Sequence, residues 1–418
     1  MRIGRIIGCL LGMFLPVVGM AQLTLQECRE YARQNYPAVK QLDLLKRTEE
    51  FTLQNIRKGY LPQLAVSGKV SYQSDVTKLP FDIPGIETGM EKDQYQISAE
   101  VNQLIWDGGV IRNRKEATQA EHAVKQQEVE VGLYTLNDRV DELFFGVLLC
   151  DAKLEQNDLL KKQLELNHAQ VQACMNAGTA NQADLDAVKV EQLEAEQNEE
   201  ELKAFRKSYA GVLGWLIGRP ETVGEVFVRP EIPAVGSGVN RRPELKLYDL
   251  QRTSLDVQRK GLMAQNYPKL GLFVQGAYGD PGLNILKGGF SPYYVAGVKL
   301  TWNIGGLYTL KNDRKLIELN RHNVDIQQEI FFLNSRMETE QSNRQVDKLR
   351  GLMKSDEERI RLRENIRRSA EVKMTNGTLT VTEMLREVLS ENQARQEKVL
   401  HEIELLQTLY DLQYITNE

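Results

Sequence analysis

Long apolar runs are nearly missing from this sequence of 418 residues. Past the first twenty or so positions, no segment approaches the roughly 18 apolar residues that a membrane-spanning helix needs. Cysteine is scarce, with 4 in the whole chain. Cys150 and Cys174 fall on one continuous helical pattern, too far apart to bridge. A disulfide framework is therefore not expected, and Cys28, Cys150 and Cys174 read as small apolar residues in helix seams. Basic excess is lacking too: the formal net charge is −5, which leaves no electrostatic footprint for nucleic acid. Clustered chemistry is absent as well. His122, His168, His322 and His401 are spread along helical patterns without metal-ligand spacing, and read as residues of solvated faces. Residues 279–289 are glycine-rich but lack the Gly-Lys-Ser/Thr ending of a phosphate loop. Charge runs such as Glu199-Glu200-Glu201 and Arg367-Arg368 read as hydrated helix faces. Neither an enzyme nor a cofactor or metal site is expected.

What is present begins at the N-terminus. Arg2 and Arg5 precede an apolar stretch from Ile6 to Val18, and Gly19-Met20-Ala21 offers small residues for cleavage before Gln22. Residues 1–21 thus read as a secretory signal peptide, too short in its apolar part to span a membrane. Its removal takes away two positive charges, so the exported chain carries −5 − 2 = −7. Ile6-Ile7-Gly8-Cys9 loosely imitates a lipoprotein box, but the apolar stretch runs on past Cys9, which argues against lipidation.

The rest of the chain is one plan written twice. Leu61-Pro62 opens an alternation with Leu64, Val66, Val70 and Tyr72 on one face and Ala65, Ser67, Lys69, Ser71 and Gln73 on the other. Tyr267-Pro268 opens a second, with Leu270, Leu272, Val274 and Tyr278, at an offset of 268 − 62 = 206 residues. Period-two alternation marks strands with one apolar and one polar face. Each strand is followed by another that ends near a glycine pair, Gly108-Gly109 or Gly305-Gly306. The first repeat spans 22–218, with strands at about 63–74 and 94–106 and long helices at about 110–175 and 181–216. Residues 219–240 form a linker. The second repeat spans 241–418, with strands at about 269–278 and 293–302 and long helices at about 307–374 and 379–415. Thr24 with Glu27 makes a capping box at the start of the first helix. The helix from Val110 would extend on the order of 100 Å. Its seam is narrow: Leu133, Leu136, Val140, Leu143, Val147, Cys150 and Leu154 step by 3 and 4.

Four amphipathic strands need something to cover their apolar faces. Helices with narrow seams have no surface to spare for that, whereas lipid does. Tyr72, Tyr95, Tyr278, Tyr293, Tyr294, Trp106 and Trp302 lie toward strand ends, where interfacial aromatics belong. Four strands cannot close a barrel, and open edges are not tolerated in lipid, so such a chain must oligomerise.

These residues resemble the TolC-type outer-membrane efflux channels over nearly the whole exported chain. Leu23-Thr24-Leu25-Gln26-Glu27 with Asn35-Tyr36-Pro37 resembles that family's opening motif. Leu61-Pro62-Gln63-Leu64 and Tyr267-Pro268-Lys269-Leu270 resemble its strand entries, and Trp106-Asp107-Gly108-Gly109 and Asn303-Ile304-Gly305-Gly306 its strand-to-helix corners. The resemblance implies a mainly α fold with a small β part, in two tandem repeats of helix, β-hairpin, long helix and helix. It implies a homotrimer that pools strands into a 12-stranded membrane β-barrel, continued by a periplasmic α-helical barrel. The expected function is a passive exit duct of a tripartite efflux or type I secretion system in a Gram-negative outer membrane. Its partners would be outer-membrane lipid, a periplasmic adaptor and an inner-membrane pump of RND, ABC or MFS type. By the same resemblance the adaptor would dock at Ala177-Gly178-Thr179 and Asn376-Gly377-Thr378. The periplasmic gate would involve Asp184, Leu379, Glu383 and Arg386, with Glu383 and Arg386 spaced to bridge along one helix. The alternative is an exported periplasmic helical spacer that never enters lipid.

Overall fold

The computed structural model describes residues 22–77, 91–220, 222–233, 240–285 and 288–417. The signal-peptide reading, the Cys9 motif and much of the first hairpin's loop and of the linker lie outside them. The fold is mainly helical with a small sheet part, and it divides into two compact units.

One unit comprises Pro37–Leu133 and Arg241–Arg336. It holds strands β2 (Gln63–Tyr72), β3 (Asp93–Trp106), β5 (Lys269–Asp280) and β6 (Ser291–Thr301), antiparallel in the order β2-β3-β5-β6. The register aligns like with like across the sheet. Val66 faces Ala99, which faces Gly276 and then Tyr294; Leu64, Val101, Val274 and Ala296 form the next row. The other face carries polar pairs: Ser67 Oγ lies 2.9 Å from Ser98 Oγ, and Gln73 Nε2 donates to Gln94 Oε1 at 2.9 Å. A one-residue slip would turn every apolar side chain to the polar face, so the alternation itself sets the pairing.

The helices of this unit are α2 (Val39–Arg57), the first part of α3 (Val110–Asn176), α5 (Pro243–Gln265) and the first part of α6 (Leu307–Thr375). They neighbour one another in the same order as the strands. At the end of α2, a Cβ on Gly59 would come 3.1 Å from the Ile111 side chain of α3. Gln127 on α3 is buried and donates to the Pro243 carbonyl of α5 at 2.9 Å. Arg252 on α5 reaches Asp325 on α6 at 3.0 Å. The corners explain the glycine pairs. Asp107 accepts from the N–H groups of Gly109 (2.8 Å) and Ile111 (2.7 Å), capping α3 with a buried carboxylate. Gly108 has φ +71°, and a Cβ there would fall 2.5 Å from the Tyr267 Cβ, so both backbone and neighbour demand glycine.

The other unit comprises Met1–Tyr36, Tyr134–Asn240 and Met337–Glu418. It contains α1 (Leu25–Asn35), α4 (Gln182–Leu216), α7 (Val381–Thr416) and the remaining parts of α3 and α6. β1 (Gln22–Leu23) pairs in parallel with β4 (Val226–Phe227). Thr24 and Glu27 form the capping box of α1. The core here is wider than a heptad seam. Besides Leu136, Val140 and Val147, α3 buries Phe144, Phe145 and Leu148 against Cys28, Leu213, Ile217, Phe227, Ile403 and Leu406. This corrects the expectation of narrow seams, because strand β4 and helix α1 bring extra cover to α3. A second cluster packs Leu164, Val171 and Val188 of the first helical hairpin on Met374, Met384 and Val388 of the second. Cys28, Cys150 and Cys174 are free and buried, and burial pushes the Cys28 thiol up to about 12.

Candidate functional site: the two helical turns and the bare sheet

The turns between α3 and α4 and between α6 and α7 are built alike, position for position. Gly178 has φ +79° and Gly377 φ +70°. Thr179 N–H donates to the Cys174 carbonyl and Thr378 N–H to the Lys373 carbonyl, both at 2.9 Å, so each helix ends in a Schellman closure. The threonine hydroxyls donate to the same carbonyls, at 3.1 and 3.0 Å. Each following helix then opens on a capping box: Asn181 with Asp184, and Thr380 with Glu383. The offset is 199 throughout, since 377 − 178, 380 − 181 and 383 − 184 agree. Ala177, Gly178, Thr179, Asn376, Gly377 and Thr378 are all exposed. A Cβ on either glycine would meet nothing within 4 Å, so their backbone lies open.

The four residues expected at the gate lie in or just after these turns, with roles sequence reasoning did not assign. Asp184 is half-buried and accepts from the Asn181 N–H at 2.9 Å. Glu383 accepts from the Thr380 N–H (3.1 Å) and hydroxyl (2.8 Å). Those two bonds, and then Arg386, hold its carboxyl below the ordinary glutamate range. Arg386 is exposed and lies 3.5 Å from Glu387, so the expected Glu383–Arg386 bridge is replaced: capping already occupies the glutamate. Leu379 packs partly buried against the second apolar cluster.

Sequence reasoning missed a polar network within the same unit. Arg367 is largely buried and pairs with Glu371 on its own helix (2.7 Å) and Glu391 on α7 (2.6 Å). Gln163 of α3 donates to Glu371 at 2.9 Å, and Arg395 pairs with Glu391 at 2.7 Å. Arg367 is thus no hydrated-face residue; its i,i+4 partner was visible in the sequence, its cross-helix partner was not. Glu199 likewise links Lys161 and Lys203, which pull its carboxyl down to about 2. Two histidines depart from the solvated reading as well: His122 is buried, and His401 Nδ1 sits 2.8 Å from buried Asp356. Among the described residues no group of three or more His, Cys, Asp or Glu is placed to hold a metal ion.

Near the N-terminus Arg29 bonds the buried Asp141 carboxylate, with its Nε donating at 2.7 Å. Asp411 faces the same acids. Burial, then Asp138 and Asp141, push its carboxyl up to about 7.

The sheet supplies the other surface. Leu64, Val66, Val70 and Tyr72 are exposed, as are Leu272, Val274 and Tyr278, while Leu270 is half-covered. Val298, Leu300 and Tyr294 extend the bare face onto β6. Both edge strands, β2 and β6, have one side unpaired. No helix among the described residues is long and apolar enough to cross a membrane.

A four-stranded sheet with a bare apolar face, set on helix pairs through capped glycine corners, is a fold shared with solved outer-membrane channels. Residues 29–211 match the family model described as outer membrane efflux protein. The fold is similar to that of VceC from Vibrio cholerae (13% identity, TM-score 0.70, covering 94% of this chain and 95% of that one). It is also similar to a membrane protein from Pseudomonas aeruginosa (15%, 0.70, 94% and 90%) and to the CmeC outer membrane channel of Campylobacter jejuni (14%, 0.67, 94% and 85%). No curated protein sequence matches the chain. The chain thus matches the outer membrane efflux protein model over residues 29–211 and shares the fold of these outer-membrane channels along most of its length.

Proposed function

We propose that the chain is the passive exit duct of a tripartite efflux or type I secretion system. Three copies pool their sheets into a 12-stranded barrel in the outer membrane, and the helices continue the duct into the periplasm. The two tandem repeats would supply equivalent halves of each subunit. The observation that carries this reading is the in-register apolar face of β2, β3, β5 and β6, bare and flanked by two open edges. Lipid satisfies the face, and only closure satisfies the edges.

The paired turns are the docking points for a periplasmic adaptor. Glycine-terminated helices present exposed backbone there, and the repetition of the motif offers each adaptor two equivalent grips per subunit. An inner-membrane pump of RND, ABC or MFS type supplies the energy and selects the cargo; the duct itself performs no chemistry. Asp184, Leu379, Glu383 and Arg386 surround the constriction, with Arg386 carrying the exposed charge. Single-channel recording in planar lipid bilayers tests the reading. Purified protein should give long-lived conducting events, and Arg386→Glu should change the conductance. Protein that inserts without conducting overturns the duct, and an unchanged conductance in Arg386→Glu removes that residue from the gate.

A further inference from the structure

Within the sheet-bearing unit, a groove of about 660 Å³ runs between α5 and α6. Leu255, Met263 and Ile317 give it an apolar floor. Far from the sheet its charges are matched: Arg321 reaches Asp256 at 3.2 Å, and Arg252 reaches Asp325 at 3.0 Å. Nearer the sheet stand Lys260 and Arg314, both exposed, and among the described residues neither pairs with an acid. Arg314 rests instead on the Met263 sulfur, a weak acceptor that leaves the guanidinium charge unbalanced. Lys260 lies 265 − 260 = 5 residues before α5 ends, and Arg314 lies 314 − 307 = 7 residues after α6 begins. Both are therefore within about 10 Å of the corners where helix gives way to strand. Trp302 marks that corner: it continues the alternation of Val298 and Leu300, is 54% exposed, and donates from Nε1 to the Asn266 carbonyl at 3.0 Å. Tryptophan in that setting belongs at headgroup level.

Handedness sets the side on which the groove opens. The Gln73 N–H donates to the Lys92 carbonyl at 2.9 Å, so residues on the polar face of β2 direct their N–H groups toward β3. For L-residues this puts β3 to the left of β2 when the sheet is viewed on its apolar face with the helices below. The helix row then reads α6, α5, α3, α2 from left to right. On α6, which descends from the sheet, Phe331 packs on Tyr248 of α5 at 6.0 Å, and Val324 and Ile317 share its stripe. The next quarter-turn of a right-handed helix faces the viewer, and it carries Arg314, Arg321 and Asp325. On α5, which ascends, the same handedness turns Asp256, Lys260 and Met263 to the viewer. The groove thus opens on the side of the bare apolar face, beneath Leu270, Leu272 and Leu300. We propose that it seats an anionic phospholipid of the leaflet around the helix end of the sheet. Lys260 and Arg314 hold the phosphate, and the acyl chains lie up the apolar face. This site rests on the sheet being embedded in lipid and names the lipid that seats beneath it. Unbalanced cations at headgroup depth, directly under an uncovered apolar surface, match a molecule that is anionic at one end and apolar at the other.

The test uses the full chain in neutral detergent, titrated with phosphatidylglycerol or phosphatidylcholine, with bound lipid counted by native mass spectrometry. Phosphatidylglycerol should bind the tighter of the two. Lys260→Gln with Arg314→Gln should weaken it about 25-fold, at about fivefold for each cation lost. Lys348→Gln with Lys354→Gln removes the same charge from the other unit and should bind as the unmodified chain does. If the double groove variant loses helix content by circular dichroism, Lys260→Gln alone decides, with a loss of about fivefold. Equal binding of the two lipids, or undiminished binding by the groove variants, overturns the site. Displacement of phosphatidylglycerol by millimolar inorganic phosphate makes the groove a soluble-anion site and overturns the lipid. Flotation with vesicles separates these failures from that of the lipid-embedded sheet. A chain that floats yet fails the titration loses only the groove, and a chain that never enters vesicles loses the embedded sheet and the groove with it.

Discussion

Phe144 and Val66 are both apolar residues at the centre of a regular element, and the chain treats them in opposite ways. Phe144 is fully buried, ringed by Phe145 and by Phe227 at 5.4 Å. Val66 is 68% exposed in the middle of its strand. The same contrast holds for the units they represent. The unit with Phe144 finds its own cover: two apolar clusters, a buried Arg29–Asp141 pair and the Arg367 network are completed within one chain. The unit with Val66 is left incomplete, bare on a sheet face and at two strand edges. The first unit is organised as a protein interior, and the second as a component that its surroundings must finish.

The sharpest way to break that comparison is to truncate both residues. Phe144→Ala should cost about 4 kcal/mol of folding stability through lost burial and a cavity. Val66→Ala should cost well under about 1 kcal/mol in a detergent-solubilised single chain, since detergent already covers it. Helix melting followed by circular dichroism reads both, and equal losses would dissolve the distinction. Next in size, Arg29→Ala strands the buried Asp141 charge and should cost about 3 kcal/mol. The double variant Arg29→Met with Asp141→Leu should recover most of that loss in the same melt.

A smaller effect belongs to pH. The folded chain holds the Asp411 carboxyl at about 7, well above the range of an unfolded aspartate, so the folded state binds the extra proton. Stability is therefore greatest below the unfolded value and falls as pH rises through about 7. Asp411→Asn should flatten this decline between pH 5 and 8, while an unchanged melting profile would deny Asp411 the role. The smallest change is Gly377→Ala, which forces an alanine to φ +70° in open space and should cost about 1 kcal/mol. Gly178→Ala should match it, because the two turns share the same backbone closure at Thr179 and Thr378.

How much of this was legible in the sequence depended on the range of the interaction. The alternation at Leu64–Tyr72 lies where β2 forms, since period two is a local property. Thr24 and Glu27 were readable as a cap for the same reason. Asn181 with Asp184 and Thr380 with Glu383 have that identical three-residue spacing, yet only Asp184 and Glu383 were singled out, and as gate positions. Starting the helices at 181 and 379 rather than one and two residues later hid the caps. The breadth of the core at Phe144 and Phe145 was out of reach. It depends on Phe227, far along the chain in a strand of two residues, too short to leave a pattern. Arg367 failed similarly: Glu371 is one turn away, but Glu391 lies on another helix.

The central claim is that the incomplete unit is completed by two further copies and by lipid. Its most direct measurement is the protein mass of the particle extracted from membranes, by light scattering corrected for bound detergent. Three chains per particle are predicted. A single chain, recovered from the soluble fraction without detergent, would contradict the account.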